Sequence, residues 1–324
     1  MQDQTLPLIR DLVLIGGGHT HALVARMWAM KPLAGVRLTL INPDPVAPYT
    51  GMLPGLIAGH YQRADLMIDL VRLARFAGAR LILDRAIGID RSAQSVILQG
   101  RPPLPYDLAS LDIGITSDLP DLAGFGDHTC SAKPLGSYAR AWESFVARAL
   151  PHPRVVVIGG GIGGVELALA SAHRLRSAGA VAQVTLVDRG AKLLAQMPAA
   201  SRAGLMRALQ EYQVQVVSNA SPLRAETEAV VLADGRRLAS DFTLTVAGAR
   251  PQPWLQDTGL RLTNGFVAVD AQLRTSDPLI FAAGDCAHLT HAPRPKAGVY
   301  AVRAAPVLLA NLRASLTGEA LQIG

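Results

Sequence analysis

The chain is poor in cysteine, in aromatic residues and in charge. Only Cys130 and Cys286 occur in 324 residues, far apart and in no paired spacing. That excludes a disulfide framework and a cysteine zinc site, and it fits a reducing cytoplasmic compartment. Aromatic residues make up 5% and charged residues 17%, against 50% hydrophobic, the balance of a well-buried globular chain rather than a disordered one. The formal charge is +6, yet the arginines are scattered and no basic run is interleaved with aromatics, so no nucleic-acid partner is expected. Such a charge steers small anions instead. The apolar stretch near the N-terminus is broken by three glycines and two histidines and reads as a buried first strand, not as a signal peptide or a membrane span. No Gly-x-Ser-x-Gly elbow and no P-loop lysine motif is present, which disfavours hydrolase and NTP-hydrolysing readings. The pairs His19-x-His21 and His288-x-x-His291 lack a third ligand at sensible spacing, so no metal is expected.

What the chain does have is glycine in two particular places. Leu12-Val13-Leu14-Ile15 runs into Gly16-Gly17-Gly18-His19-Thr20-His21, and about 140 residues later Val155-Val156-Val157-Ile158 runs into Gly159-Gly160-Gly161-Ile162-Gly163-Gly164. In a dinucleotide-binding βαβ unit the first glycine permits the tight turn, the second lets backbone approach a pyrophosphate, and the third lets helix and strand pack closely. Gly159, Gly161 and Gly164 satisfy that whole spacing, whereas the first turn carries His21 at the third position. Each turn is followed by a second apolar strand, Val36 to Ile41 ending in Asn42 and Ala182 to Val187 ending in Asp188. A residue at that tip grips a ribose hydroxyl; Asn42 does so without a charge.

Between and beyond these units the pattern predicts a helix over 66–76, a strand over 80–83, short strands around 96–98 and 111–113, and a helix over 139–150. A glycine- and proline-rich loop covers 43–59, and Gly248-Ala249-Arg250-Pro251 marks a return crossing between domains. A third signal is the apolar run Leu279-Ile280-Phe281-Ala282-Ala283 ending in Gly284-Asp285, which points a carboxylate out of the C-terminal end of a strand. A helix follows Pro293 and Pro295.

In this order the features resemble the two-dinucleotide-binding flavoproteins of the pyridine nucleotide-disulfide oxidoreductase superfamily, and within it the type II NADH dehydrogenase-like proteins. Residues 16–21 and the segment Pro48 to Tyr61 are similar to the flavoprotein module fused to selenide, water dikinase in some bacteria. The resemblance implies an α/β chain of two Rossmann-like domains: an FAD domain over 1–117 and 249–324, with an NAD domain inserted over 118–248. It implies FAD on the first unit, with Gly16, Gly18 and His19 at the pyrophosphate, Asn42 near the adenosine ribose and the Ala86 backbone near the adenine. Gly284 and Asp285 would meet the ribityl chain, the helix opening at Lys296 and Ala297 would face the pyrimidine ring, and Thr50, Gly51 and Met52 would line the isoalloxazine. NAD(H) would bind through Gly159, Gly161, Ile162, Gly164 and Gly248, with Glu166 toward the nicotinamide and Asp188 on the ribose diol. Asp188 repels a 2′-phosphate and favours NADH, while Arg189 beside it leaves some use of NADPH open.

The redox-active cysteine pair of the superfamily is absent, so electrons are expected to pass from flavin straight to the acceptor, with Glu166 and Lys296 as the candidate catalytic side chains. The chain ends soon after the helix that follows Asp285, so a dimerisation domain and amphipathic C-terminal helices are expected to be missing, leaving at most a peripheral membrane association. The expected activity is hydride transfer from NADH to FAD and then reduction of a quinone-like acceptor; the alternatives are a reductase of a small electron-transfer protein and a flavin-binding redox sensor or scaffold linked to selenium metabolism.

Overall fold

The computed structural model describes residues 9–116, 122–195, 197–246 and 248–323. The expected boundary at 117/118 and the terminal Gly324 lie outside the described residues. In chain order the elements that place the site are β1 (Arg10–Ile15), α1 (His19–Met30), β2 (Val36–Asn42), β3 (Arg80–Leu83) and β4 (Leu108–Leu111). Then come β5 (Cys130–Ser131), α2 (Leu135–Ala147), β6 (Arg154–Ile158), α3 (Ile162–Ser177), β7 (Gln183–Val187), β8 (Gln215–Val217) and β9 (Phe242–Thr245). The last two are β10 (Ile280–Ala282) and α4 (Gly298–Thr317).

These elements fall into two compact units, each with its own core. The first comprises 1–49, 67–115 and 250–324, and its sheet has the order β10-β4-β1-β2-β3, every pair parallel. The second comprises 50–66 and 116–249, with the order β5-β9-β6-β7-β8, again every pair parallel. The two sheets match strand for strand, except that the outer strand beyond β4 arrives late in the chain and the one beyond β9 arrives early. Helix crossovers cover both faces of such a sheet, which is why Leu12 to Ile15 and Val155 to Val157 are continuous apolar runs with almost no exposure. Smaller antiparallel sheets attach to each unit, Ala86–Asp90 with Ser95–Leu98 and Leu104–Pro105 in the first and Pro222–Glu226 with Ala229–Leu232 and Arg237–Ala239 in the second.

Four local expectations change. The strand expected at 111–113 is β4, three residues earlier, so Asp112 lies beyond its C-terminal end rather than inside it. Residues 96–98 belong to the antiparallel attachment, not to the main sheet. The helix expected from 66 begins at Leu70 because the Asp69 carboxylate accepts from the Arg72 N–H at 2.9 Å and caps it there. The helix expected over 139–150 runs instead from Leu135 to Ala147, started by Pro134.

Candidate functional site

In an open parallel sheet ligands bind at the carboxyl edge, and both glycine turns leave that edge, after β1 and after β6. In the first unit Gly16 takes φ +93°, a conformation that a side chain disfavours. The Gly17 N–H donates to Asn42 Oδ1 at 2.9 Å and Asn42 Nδ2 donates to the Asp44 carbonyl at 2.7 Å, so the amide at the tip of β2 holds the turn in place. Helix α1 begins immediately after Gly18.

His21 in that first helical turn is fully buried. Its Nδ1 stands 2.7 Å from the Gly16 carbonyl, which can only accept, so Nδ1 carries the proton and Nε2 accepts from the Ser110 hydroxyl at 2.8 Å. Burial pushes the imidazole down to about 4, against a hydrogen bond to Gly16 that works the other way. It is therefore a neutral, fixed tautomer.

Asp112 projects from the end of β4 into the mouth of α1. Its Oδ2 accepts the His21 N–H at 3.1 Å, and the Gly18 N–H donates to its backbone carbonyl at 3.2 Å. Only 3% of the residue is exposed. Burial raises its carboxyl to about 7, hydrogen bonding from the His21 and Thr20 backbone opposes the rise, and the Asp285 charge adds to it. A methyl placed on Gly18 or on Gly284 would overlap this carboxylate, so two of the expected cofactor glycines are what admit it.

Asp285 occupies a 3-10 turn over Gly284–Cys286. The Cys286 thiol is buried against the Ala283 carbonyl and pushed up to about 12, mainly by desolvation, so it fills space rather than reacting. Lys296 is half-buried; its Nζ donates to the Ala287 carbonyl and sits 4.1 Å above the Phe266 ring, and desolvation lowers its pKa. Ala297 is the N-cap of α4. The start of α4 lies against the His19 ring, with a methyl on Gly298 only 3.2 Å from Nδ1, and the Thr20 hydroxyl donates to the Ala301 carbonyl at 2.9 Å. The His19 ring leans on Tyr49 with centroids 4.6 Å apart. Ala86 opens the separate antiparallel sheet. A cavity of about 640 Å³ touches Arg10, Asp107, Arg274 and Glu319 at the opposite edge of the main sheet, away from the turn.

In the second unit Gly159 takes φ +116°. A methyl on Gly164 would overlap the Gly159 carbonyl oxygen, the close helix-to-strand packing that the third glycine serves. Gly161 is the N-cap of α3 and a methyl there would meet no atom within 4 Å, and Ile162 beside it is exposed. The space in front of this helix is open. Asp188 leaves the tip of β7 with its N–H donated to the Val217 carbonyl at 2.9 Å, and its carboxylate borders the turn: a methyl on Gly160 would stand 2.6 Å from Asp188 Cβ, and one on Gly190 3.2 Å from Oδ2. Gly248 follows β9 and also faces open space. Glu166 stands on the outer side of α3, its carboxyl raised by partial desolvation.

Thr50, Gly51 and Met52 form a single 3-10 turn that leads the segment 50–66 into this second unit, a change from the expected flavin-domain boundary. The segment is held there by the Trp142 Nε1–H donated to the Ile57 carbonyl at 3.1 Å, and the Arg174 side chain lies against Gly59. Among the described residues no group of three or more His, Cys, Asp or Glu is arranged to hold a metal, and no helix is long and apolar enough to cross a membrane.

Residues 10–305 match the family model for pyridine nucleotide-disulphide oxidoreductases. The chain belongs to that family. Its members bind FAD and NAD(P)H, and the chain is an oxidoreductase of this type. It is 26% identical over 299 residues to the NADH dehydrogenase-like protein YutJ of Bacillus subtilis, spanning 88% of this chain and 79% of that one. It is 34% identical over 203 residues to the nitric oxide reductase FlRd-NAD(+) reductase of Vibrio vulnificus, spanning 60% of this chain and 50% of that relative. The putidaredoxin reductase-putidaredoxin complex shares its fold, with a TM-score of 0.81 at 23% identity, over 97% of this chain and 77% of that one.

The residues fit both cofactors. Each unit has a glycine turn leading into a helix N-terminus at the carboxyl edge of its sheet, where a diphosphate can be held, and a polar residue, Asn42 or Asp188, stands at the tip of the next strand. Sequence reasoning passed over Asp112, Ser110 and Thr20. One signal was available: an acid directly after the apolar run Leu108 to Leu111, where the third strand of such a sheet reaches its binding edge.

Proposed function

We propose that the chain oxidises NADH on the second unit and passes the electrons, through FAD on the first, to a small electron-transfer protein. The observation that carries this reading is the duplicated parallel sheet with a glycine turn at each carboxyl edge, in a chain whose two cysteines are unpaired. Bound FAD supplies the two-electron chemistry, and the protein supplies binding, orientation and electrostatics. Gly16, Gly18 and His19 border the FAD diphosphate, Asn42 the adenosine ribose, and Gly284, Asp285 and the start of α4 at Ala297 the flavin end. Gly159, Gly161, Ile162 and Gly164 border the NADH diphosphate, Asp188 takes the ribose diol, and Glu166 accepts from the carboxamide. Lys296, bonded to Ala287, steadies the approach to α4 rather than transferring a proton.

The choice of a protein acceptor over a quinone is supported by relatives named as reductases of flavorubredoxin, one of which is 31% identical over 292 residues, 86% of this chain. The likeness of 16–21 and 48–61 to the module fused to selenide, water dikinase supports a cytoplasmic reductant for selenium supply as the setting.

Anaerobic titration with NADH and NADPH, followed in the visible flavin band, tests the first half. Bleaching by NADH near one equivalent supports it, and a colourless protein that takes up no FAD rejects it. Turnover with a rubredoxin- or ferredoxin-type protein against a water-soluble quinone tests the second. Faster reduction of the quinone rejects the protein acceptor, and slow reoxidation by every acceptor favours a redox sensor. Replacement of Asp188 by Ala is expected to erase a preference for NADH of about tenfold, roughly 1.4 kcal/mol; an unchanged ratio of NADH to NADPH affinity removes Asp188 from that role.

A further inference from the structure

The mouth of α1 already holds an anion supplied by the protein. The Asp112 carboxylate reaches in from the end of β4, takes the His21 N–H at 3.1 Å and lies against Gly18 and Gly284, where any side chain would overlap it. This is the place where a diphosphate at the first turn needs backbone N–H groups and a positive field. The corresponding mouth of α3 is different: the space before Gly161 is open.

Among the described residues no cation offsets Asp112. From α1 it faces Thr20 and His21, and His21 is the neutral tautomer fixed by Gly16 and Ser110. From the turn after β10 it faces Asp285, a like charge, and the protonated Cys286 thiol. Lys296 acts on Asp285 and Cys286, with its ammonium turned to the Ala287 carbonyl. Two further negative charges from a diphosphate would leave a buried carboxylate among anions, an arrangement relieved by protonating Asp112, the carboxyl that burial already raises.

Resting on the assignment of FAD to the first turn, we propose that Asp112 is a positioning residue for that cofactor which takes up one proton from solvent as FAD binds and stays neutral in the holoprotein. A neutral carboxyl still accepts the His21 N–H through its carbonyl oxygen and gains an O–H donor, so the mouth of α1 changes from acceptor-filled to mixed. Burial already brings the free group to about 7, so uptake is demanded near and above neutrality.

The test is calorimetric titration of the full-length apoprotein with FAD in buffers of differing ionisation heat, together with FAD affinity against pH. FAD has no group of its own that titrates near neutrality. The expected result at about pH 8 is uptake close to one proton, with the dissociation constant rising about tenfold per pH unit above neutrality. Asp112→Asn is expected to bind FAD with a pH-independent affinity and without proton uptake. Should that variant fail to fold, the wild-type holoprotein answers by infrared spectroscopy, where a protonated-carboxyl band present at about pH 8 supports the proposal. No uptake by the wild type, uptake kept by Asp112→Asn, or a holoprotein lacking that band overturns it. Failure of FAD to bind at any pH overturns the FAD assignment itself, a different result from binding without a proton.

Discussion

The two glycine turns, residues 16–21 and 159–164, share a spacing and part company at its last position. At 164 a glycine lets α3 close on the Gly159 carbonyl until no Cβ fits. At 21 a histidine stands in the same relation to the Gly16 carbonyl and, instead of avoiding it, donates to it at 2.7 Å. One turn solves the close approach by removing atoms and the other by adding a hydrogen bond. The second solution demands more of its surroundings: Nε2 needs the Ser110 hydroxyl from β4, and the neighbouring N–H is taken by Asp112. Buried polar groups of this kind must be satisfied together, since a lone one costs about 1–3 kcal/mol. The third glycine of the pattern is therefore one of two answers to the same packing problem.

The largest effect is expected from Gly164→Ala. The new Cβ cannot avoid the Gly159 oxygen, so the second unit should lose about 3 kcal/mol or more, read as a drop in its unfolding midpoint; an unchanged midpoint would show that α3 can retreat. His21→Gly supplies the first turn with the residue it lacks, yet it should destabilise by about 2–3 kcal/mol, because it leaves an imidazole-sized void and an unpaired Ser110 hydroxyl. A stabilised variant would mean that the histidine is a defect rather than an alternative.

Acidity sharpens the contrast further. His21 is lowered to about 4, so its contribution to stability is present above its unfolded value near 6.5 and is lost as pH falls through about 4. Asp112 is raised to about 7, so its contribution is present below its unfolded value near 3.8 and is lost as pH rises through about 7. The two oppose one another across the intervening range. With Asp112→Asn, denaturant unfolding should reveal the histidine alone, as stability gained on the order of 3 kcal/mol from about pH 4 to 6.5. A flat profile in that variant would show that His21 titrates as it does in the unfolded chain.

Gly161→Ala is the mildest probe. Its backbone is ordinary and its surroundings open, so the fold should change by less than about 0.5 kcal/mol, while NADH affinity falls about tenfold as the methyl meets the diphosphate. Unimpaired NADH binding would remove Gly161 from the cofactor surface.

Much of the architecture is legible in the chain alone, because apolar runs and glycine spacing are local. β2, β7 and β10 lie within the strands or apolar runs read from the chain, β1 and β6 contain theirs and begin two residues and one residue earlier, and both turns are where the glycines put them. Asn42 and Asp188 were legible for the same reason: a strand of known start ends at a countable distance. The position of Asp112 was not, since the polar Ser110 and the apolar Ile113 make the end of β4 ambiguous by two residues.

Local spacing along the chain already fixes two parallel sheets with a glycine turn on each, for these depend on contacts within one βαβ unit. Only the tertiary structure decided which atoms occupy those turns. The Asp112 carboxylate meets a helix 91 residues away in sequence, and the segment 50–66 joins the second unit through Trp142, 85 residues beyond Ile57. Such partners are chosen by which buried groups can satisfy one another in the assembled core, a constraint that no local spacing carries.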